Sequence, residues 1–409
     1  MTDIAETEET GAAAGAKLPV VKIMPGRHKR VRTGHPWVFS NEVEMSPDAK
    51  ALEPGMPVTL EDASGAAIGT ALFNPKPLIS ARMLTPEPDA VLNADWIAAR
   101  FERALALRDR LFGTPYYRLI HAEADGMPGL IVDRYGNFCA LQLNTAGMER
   151  LADGIVTALR RTISPKGIVI QRDGAARRLE GLKDAPVQIL GDVPSPAPVT
   201  ENGVRFLADL AGGQKTGWFF DHRENRARAA QLSGGRSVLD CYCYLGGFGL
   251  QAAAAGASSV LCVDRSQPAL DLSRQAADEA DFGDRVKFEK SEAFGALEVL
   301  VGEGRRFGVV VADPPAFVKT KKDLKPGARG YRKLARLAAT LVEPDGILVI
   351  ASCSHHVDLT LFSDQVRRGL LDAGRTGRIL HAGGAGPDHP VHPALPESAY
   401  LKCLFLQLD

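Results

Sequence analysis

A single cysteine follows an apolar, β-branched run in the stretch "GILVIASCSHHV", residues 346–357. Most isolated cysteines are small core residues. A thiol at the carboxyl end of a buried strand can also act as a nucleophile, because covalent catalysis divides one difficult step into two easier ones. Cys353 is therefore the first candidate catalytic residue, and its interpretation depends on which side chains surround it.

A second apolar run, "VVVADPPAF" at residues 309–317, also ends in residues that could do chemistry. The two prolines fix their φ angles and lack N–H groups, so the carbonyl groups beside them have no partner within their own segment. Such a rim suits a planar base that forms hydrogen bonds, although a structural loop could use it too. Neighbouring parallel strands end at one edge of a sheet, so we expect Asp313 and Cys353 to converge on one cleft.

Two earlier strand ends are typical of a nucleoside site. The first, "SVLDCYCYLGGFG" at residues 237–249, places Asp240 before a turn in which Gly246 and Gly247 allow close approach of a ligand. The second, "SVLCVD", ends at Asp264, where a carboxylate commonly binds ribose hydroxyl groups. The turn is not the strict GxGxxG pattern, so a nicotinamide-type or a purely structural turn stays open at this point.

The elements that position these residues fall into three segments. From residue 203 onward, strands alternate with amphipathic helices, which predicts a doubly wound, mostly parallel Rossmann-like sheet. The last strand, "AYLKCLFLQL", is predicted to be antiparallel at the edge. Short β-like runs predict a small all-β domain over residues 18–92, and a helix at 94–111 with a "DRYGN" hairpin predicts an α+β domain over 93–198. The proline-rich stretch 191–203 marks the boundary of the third domain, 199–409.

Composition narrows the protein class. The 409 residues are 45% hydrophobic and 24% charged, and no apolar run reaches the ~20 residues that span a bilayer. The acidic first residues, 1–17, predict a disordered tail rather than an export signal, so we expect a cytoplasmic protein without a membrane partner. The six cysteines lack metal-ligand spacing, and no metal site is predicted.

Charge is balanced, with 49 basic and 49 acidic side chains, but the bases cluster. One basic run is "GRHKRVR" at residues 26–32, and the other is "KTKKDLKPGARGYRKLAR" at 319–336. A basic run is usually a solvated face. Two such runs, one directly after the Asp-Pro-Pro rim, favour a polyanionic substrate such as RNA.

Several stretches together resemble a known family. Residues 238–266, 310–319 and 351–357 look like motifs of class I S-adenosylmethionine-dependent methyltransferases. With "TENGVRFLADLAGGQKTGWFFDHRENR" at 200–226, they resemble the RlmI-like family of 23S ribosomal RNA methyltransferases, which make 5-methylcytosine. In that family a PUA domain and a central α/β domain come first, and residues 27–43 and 117–138 are similar to their openings. The resemblance implies an rRNA-modifying enzyme with S-adenosylmethionine as its cofactor.

The resemblance also implies roles for individual residues. Around the methionine end of the cofactor it places Gln214, Lys215, Thr216, Phe219, Phe220 and Arg223. At the glycine turn, the ribose and the adenine it places Asp240, Tyr244, Gly246, Gly247, Asp264 and Glu292. Asp313 and Pro314 would lie between the methyl donor and the target base. Many relatives have Asp in the position of Glu292, which makes the adenine contact the weakest of these assignments.

Carbon 5 of cytosine is a poor nucleophile, and attack of a Cys353 thiolate on carbon 6 would activate it. This chemistry requires a single-stranded or flipped-out base. Better-known RNA cytosine methyltransferases use a second cysteine beside the motif IV prolines, and "DPPAF" has none. The acceptor of the carbon 5 proton stays open among Asp313, a water molecule and a neighbouring residue, with His355 and His356 as further candidates.

Three alternatives remain. A methyltransferase acting on a purine nitrogen could use the same Asp-Pro-Pro rim without a thiol. An RNA-binding ribosome-assembly factor could retain a vestigial cofactor pocket. An oxidoreductase of the nicotinamide type would need the strict glycine pattern and a hydride-transfer site, and the sequence has neither. A homodimer is compatible with the sequence but is not indicated by a specific motif.

Overall fold

The protein is described by a computed structural model over residues 17–213 and 216–409. The predicted tail lies outside the described residues except for Lys17, and so do Gln214 and Lys215. In these two ranges, no helix is both long and apolar enough to cross a membrane.

A five-stranded sheet forms the first unit, and its strands correspond to the five short β-like runs of the sequence. Its elements are β1 (Val20–Lys22), α1 (Lys29–Arg32), β2 (Trp37–Phe39), α2 (Pro47–Ala51), β3 (Met56–Glu61), β4 (Ala67–Phe73) and β5 (Ile79–Thr85). The strand order is β1-β3-β4-β5-β2. Alternate apolar side chains of these strands, among them Val58 and Phe73, fill a small core of their own.

The second unit packs two long helices on a five-stranded sheet. Its elements are α3 (Ala94–Leu111), β6 (Tyr116–His121), β7 (Leu130–Tyr135), β8 (Phe138–Leu143), α4 (Ala146–Arg150), α5 (Ala152–Ile163), β9 (Gly167–Arg172), α6 (Ala175–Leu179) and β10 (Ala185–Gly191). Asn93 caps α3 through the N–H of Trp96, and the helix buries Ile97 and Phe101 against the sheet. The predicted "DRYGN" hairpin joins β7 and β8.

The third unit begins with a hairpin of β11 (Ala197–Glu201) and β12 (Val204–Ala208). The predicted domain boundary at residue 198 therefore falls inside a strand, and this hairpin shares a core with both Tyr135 of the second unit and Phe405 of the third. The strands and helices that follow are α7 (Arg223–Gln231), β13 (Ser237–Cys241), α8 (Gly247–Ala254), β14 (Ser259–Asp264), α9 (Gln267–Glu279), β15 (Val286–Lys290), α10 (Ala293–Gly302), β16 (Phe307–Ala312), α11 (Leu324–Thr340), β17 (Val342–Ser352), α12 (Leu359–Asp372), β18 (Gly377–Gly383) and β19 (Lys402–Leu408).

The large sheet of this unit has the strand order β15-β14-β13-β16-β17-β19-β18. Strands β13 to β17 are parallel, as the alternation of strands and helices predicts. Strand β19 is antiparallel to β17, but it lies between β17 and β18 and not at the edge. The edge strand β18 exposes most of its side chains, and without an apolar pattern it escaped sequence analysis. The buried side chains of β19 explain its inner position.

A buried carboxylate joins the first two units. Glu180, which is 4% exposed, accepts hydrogen bonds from Arg82 at 2.8 Å and from the Asn74 side-chain amide at 3.0 Å. Both donors lie on the first sheet or directly after one of its strands. Arg82 also pairs with Glu123 at 3.2 Å, so Glu180 is one of two carboxylates that compensate this cation.

We predict that Glu180→Ala weakens the attachment of the first unit. Arg82 keeps its pair with Glu123, so the expected loss is that of hydrogen bonds to a charged group, about 1.5–3 kcal/mol. Urea unfolding followed by tryptophan fluorescence should show a lower midpoint, since Trp37 lies in this unit. The control is Glu102→Ala, an exposed glutamate on α3. Equal midpoints for the two variants would contradict the prediction.

Candidate active site

The structure brings Asp313 and Cys353 to one cavity. Asp313 follows β16 and Cys353 follows β17, and these two strands are parallel neighbours. Both residues line a cavity of about 340 Å³, together with Pro314 and Pro315. The Cys353 Sγ lies 4.0 Å from the carbonyl oxygen of Pro314. The thiol therefore stands at the Asp-Pro-Pro rim, at the carboxyl edge of the sheet.

The direction of the thiol is set by the two serines beside it. Ser352 and Ser354 are fully buried, and each hydroxyl lies 2.8 Å from the Tyr331 hydroxyl of α11. Ser354 also accepts a hydrogen bond from the N–H of Val318. With both serines held inward, the side chain between them faces outward into the cavity. Cys353 is the one partly exposed cysteine, and the other five are buried.

The turn after β13 is held in an uncommon backbone conformation. Tyr242 and Tyr244 both have positive φ angles, 65° and 50°, and Gly246 at φ 70° is the N-cap of α8. A left-handed non-glycine residue costs about 1–3 kcal/mol and persists where the surrounding structure over-determines it, often at functional sites. A Cβ on Gly247 would lie 2.6 Å from Nε of Arg226. Glycine is therefore required where the turn packs on this side chain.

Asp264 presents an oriented carboxylate to the cavity. Its Oδ2 accepts a hydrogen bond from the N–H of Tyr244 at 3.0 Å, and its Oδ1 accepts one from Ser266 at 2.8 Å. A carboxylate has about four acceptor positions, so each oxygen can accept a further hydrogen bond. Glu292, the N-cap residue of α10, also lines the cavity. These two acids form one wall that offers acceptors.

Asp240 lies beneath the turn and outside the residues that line the cavity. Its Oδ2 accepts a 2.8 Å hydrogen bond from the N–H of Gly249, whereas its Oδ1 is buried with no hydrogen-bond partner in the described part of the chain. Burial raises the pKa of Asp240 to about 7, even though the Gly249 bond acts in the opposite direction. Asp240 fixes the start of α8 from below.

Sequence analysis missed a histidine of the site. His222 is buried and lines the cavity, and its Nε2 lies 3.2 Å from Oδ2 of Asp313. Its Nδ1 faces the side-chain amide of Asn225, which also donates to the carbonyl of Gly384, so the neutral ring carries its proton on Nε2. Burial acts to lower the pKa of His222, but the charge and hydrogen bond of Asp313 outweigh it, and the pKa is raised.

A buried ion pair supports the part of the cavity wall to which Arg226 belongs. Arg226 donates to Glu201 at 2.6 Å and to the carbonyl of Phe219 at 2.7 Å. Glu201 is fully buried and also accepts from Trp218 and Gln251. Arg226 and His222 both lie in the stretch "FFDHRENR". Their places in the site depend on partners that are distant in sequence, so the stretch alone does not distinguish them from the charged residues around them.

Gly246, the N-cap of α8, and three further predicted cofactor residues do not line the cavity. Thr216 donates its hydroxyl to Asp133 of β7, Phe220 packs on the ring of Tyr135 at 5.3 Å, and Arg223 donates to a carbonyl of the second unit. They hold the wall that carries Phe219, which does line the cavity. Their direct contact with a cofactor stays a prediction, as do the contacts of Gln214 and Lys215, which lie outside the described residues.

The adjacent histidines after the nucleophile candidate face elsewhere. His355 and His356 are exposed, and neither lines the cavity. The ring of His355 packs on Tyr400 at 5.3 Å. Of these three histidines, His222 is the one that lines the cavity. Over residues 17–213 and 216–409, no three His, Cys, Asp or Glu side chains are grouped to hold a metal ion.

The raised pKa of Asp240 predicts a specific pH dependence. The folded state keeps a proton that the unfolded chain releases, so stability from this group is present below the ordinary carboxyl pKa of 3.8 and is lost as pH rises to about 7. Asp240→Asn imitates the protonated form. Relative to this variant, the native chain should lose about 1.4 kcal/mol per pH unit over that window.

Urea unfolding across this pH range measures the difference between Asp240→Asn and the native chain. Asp278→Asn, at an exposed position of α9, is the control and should show a difference that does not change with pH. A difference for Asp240→Asn that is equally flat would contradict the prediction.

Known protein families match two parts of this chain. Residues 21–86 match the family model described as a PUA-like domain. Residues 182–402, more than half of the chain, match the model described as S-adenosylmethionine-dependent methyltransferase. These ranges contain the first sheet and nearly all of the large sheet with its cavity.

Curated relatives cover almost the whole length. Ribosomal RNA large subunit methyltransferase I of Photobacterium profundum is 38% identical over 389 residues, which are 93% of this chain and 97% of that protein. The protein of the same name from Serratia proteamaculans is 37% identical over 92% of this chain and 96% of its own.

Solved structures agree on the fold. A methyltransferase crystallised with S-adenosylhomocysteine has a TM-score of 0.81 at 19% identity and covers 95% of this chain and 100% of its own. A methyltransferase from Streptococcus mutans has a TM-score of 0.80 at 20% identity, with the same coverage. With the cavity at the carboxyl edge of the sheet and relatives that match from end to end, this chain belongs to the S-adenosylmethionine-dependent methyltransferase family that contains ribosomal RNA large subunit methyltransferase I.

Proposed function

We propose that this protein methylates carbon 5 of a cytosine in large-subunit ribosomal RNA, with Cys353 as the nucleophile. The observation that carries the proposal is the position of the Cys353 thiol at the Asp-Pro-Pro rim, in the same cavity as Asp313. A methyltransferase acting on a purine nitrogen needs no thiol there. The names of the relatives support ribosomal RNA of the large subunit as the substrate class.

The polar side chains that line the cavity suit S-adenosylmethionine. Asp264 has acceptor positions left for the ribose hydroxyl groups, and Glu292 extends the same wall toward the base of a nucleoside. The glycine turn leaves room for close approach of a ligand to the backbone. The acids Asp264, Glu292 and Asp313 also offset the positive charge of a sulfonium group. Phe219 and Tyr244, in edge-to-face contact at 5.4 Å, also line the cavity.

The chemical steps follow from the rim residues. S-adenosylmethionine supplies an electrophilic methyl group. Cys353 would add its thiolate to carbon 6 of the cytosine, which makes carbon 5 the nucleophile for that methyl group. Loss of the carbon 5 proton then restores the double bond, breaks the carbon–sulfur bond and returns the thiolate. Placing the thiol and the base in contact contributes on the order of 7–11 kcal/mol to such a reaction.

Asp313 is our candidate for the acceptor of the carbon 5 proton. Its carboxylate is one-quarter exposed and faces the cavity, with Nε2 of His222 at 3.2 Å behind it. A buried imidazole that donates to one oxygen orients the carboxylate and leaves the other oxygen for the substrate. With no second cysteine at the rim, this pair takes the part that a thiol takes in other RNA cytosine methyltransferases.

The basic segment beyond the rim forms a surface suited to RNA. Lys319, Lys321 and Lys322 are exposed between β16 and α11. From there, a groove of about 350 Å³ runs between α11 and α12. It is lined by Leu324, Lys325, Ala328, Arg329, Arg332, Leu361, Gln365 and Arg368. Because α11 follows β16 and α12 follows β17, both helices begin at the edge that carries the cavity.

Two groove cations are available for phosphates. Arg332 pairs with Asp372 and Arg368 with Asp364. Lys325 and Arg329 have no ion pair in the described part of the chain. In the first unit, Arg30 and Arg32 of the other basic run pair with carboxylates of the same unit, whereas Arg27 and Lys29 form no ion pair in the described residues. The groove is the basic surface that begins at the edge carrying the cavity, and we test it first as a contact for the RNA backbone.

We predict that Cys353→Ala abolishes a covalent complex with RNA. In a 23S rRNA fragment containing 5-fluorocytidine, fluorine blocks proton loss at carbon 5, so the adduct should persist in denaturing gels. The native chain with S-adenosylmethionine should give this slow-migrating band. Cys139→Ala, at a buried cysteine of β8, is the matched control and should give it too.

An adduct that survives Cys353→Ala would contradict the assigned nucleophile. Full methylation of ordinary rRNA by Cys353→Ala would instead favour the purine nitrogen as target. Mass spectrometry of digested RNA separates these results, because it identifies the methylated nucleoside directly.

We also predict that Lys325→Gln with Arg329→Gln weakens RNA binding and its salt dependence. Each phosphate contact contributes about 0.7–0.9 to the slope of log affinity against log salt, so the slope should fall by about 1.4–1.8. Fluorescence anisotropy with an rRNA fragment measures it. Arg305→Gln with Arg306→Gln removes the same charge at the amino-terminal end of β16, away from the cavity, and should leave the slope unchanged. Equal slopes for all three proteins would remove the groove from the RNA path.

A further inference from the structure

A lysine is buried beside the candidate nucleophile. Lys402 opens β19, where it pairs in register with Ser352, the residue before Cys353. Its side chain is only 7% exposed. A buried ammonium is costly unless hydrogen bonds and an opposite charge compensate it. The position of Lys402 therefore needs a physical reason.

Hydrogen bonds satisfy part of this requirement. The Lys402 Nζ donates to the carbonyl oxygens of Ser354 and Tyr400, both at 2.7 Å. The carbonyl of Ser354 lies just after the nucleophile candidate, beyond the end of β17. The carbonyl of Tyr400 lies before the start of β19. The ammonium thus ties the residue after Cys353 to the segment that precedes β19. It has three N–H donors, and these carbonyls use two of them.

The charge itself has no carboxylate partner. Within the part of the chain that the structure describes, Lys402 forms no ion pair with Asp or Glu. Burial lowers the pKa of Lys402 to about 8, while the Cys353 thiolate and the Asp358 carboxylate act to raise it. At neutral pH the group is thus still mainly an ammonium. The deprotonated Cys353 thiol is thus one of two anions, with Asp358, that favour the charged form of Lys402.

Other titratable groups face this site. Burial raises the pKa of Tyr400 well above its ordinary value, so its phenol stays neutral and donates to Asp221 at 2.5 Å. The exposed His355 ring packs on Tyr400, and Asp358 caps α12 through the N–H of Leu361.

We propose that Lys402 is a positioning residue for the nucleophile: its ammonium holds the carbonyl of Ser354, directly after Cys353, and stabilises the thiolate by charge. The inference rests on the proposed role of Cys353. No covalent change occurs at Lys402 itself. The proposed role differs from a purely structural one because it requires the positive charge of Lys402 and not only its two hydrogen bonds.

The test measures thiolate formation without RNA. The full chain is alkylated with iodoacetamide over a range of pH, and the Cys353 peptide is followed by mass spectrometry. Burial raises the pKa of Cys139 and Cys241 and keeps such thiols unreactive, so the partly exposed Cys353 dominates the early reaction. Lys402→Met should slow alkylation near neutral pH about tenfold and shift the half-maximal rate upward by about one pH unit.

Matched variants separate charge from structure. Lys402→Arg keeps the charge and should stay within about threefold of the native rate. Lys402→Gln keeps an N–H donor without charge and should behave like Lys402→Met. Lys287→Met, on the far edge strand β15, is the control for loss of an exposed lysine. A native alkylation profile for Lys402→Gln would overturn the proposal, even if Lys402→Met failed to fold.

This result is independent of the adduct experiment. A native chain that forms no adduct with 5-fluorocytidine RNA, but whose Cys353 loses reactivity in Lys402→Gln, would refute the cytosine chemistry and keep the role of Lys402. An adduct that forms equally in the native chain and in Lys402→Gln, with unchanged alkylation, would refute the role of Lys402 alone.

Discussion

The site depends on one constraint, which is that a thiol must face outward from the end of a buried strand. Three hydroxyl groups impose it: Ser352 and Ser354 are turned inward onto Tyr331, and the residue between them has no other direction. Tyr331 belongs to α11, the helix that follows the Asp-Pro-Pro rim. The same helix therefore packs beneath the nucleophile candidate and begins at the loop that faces it. Serine on both sides of the cysteine is explained by this geometry.

The second unit contributes to the site through its buried charges. Asp133 of β7 binds Arg118 in an ion pair at 2.8 Å and accepts the hydroxyl of Thr216. Arg108 of α3 is fully buried, pairs with Asp125 and reaches the carbonyl of Asp388 in the third unit. Because breaking such pairs is strongly unfavourable, the wall that carries Phe219 and His222 is held by the central sheet. If RNA binding displaced the second unit, the cavity wall that this unit holds would be disturbed as well.

Sequence reasoning succeeded where chemistry coincides with a regular pattern. Asp264, Asp313 and Cys353 each end an apolar strand, and parallel strands end at one edge, so their common location was predictable. Lys402 and His222 were not, because each acquires its role from a partner more than 40 residues away in sequence. The order of the last strands failed for a related reason. An apolar sequence predicts that a strand is buried, but it does not predict which strands lie beside it. Strand β18 has too few buried side chains to be recognised as a strand from its sequence.

The distribution of charge around the cavity is consistent with the order of the proposed steps. Acids surround the part of the cavity suited to the cofactor, with Asp264 on one wall and Asp313 at the rim, where a sulfonium would lose its positive charge during methyl transfer. The buried cation, Lys402, binds the carbonyl directly after Cys353, where the proposed mechanism forms a thiolate before attack and restores it after elimination. A field of one sign could not favour both events. In the proposed mechanism, acids that line the cavity would favour the sulfonium, and Lys402 beside Cys353 would favour the thiolate.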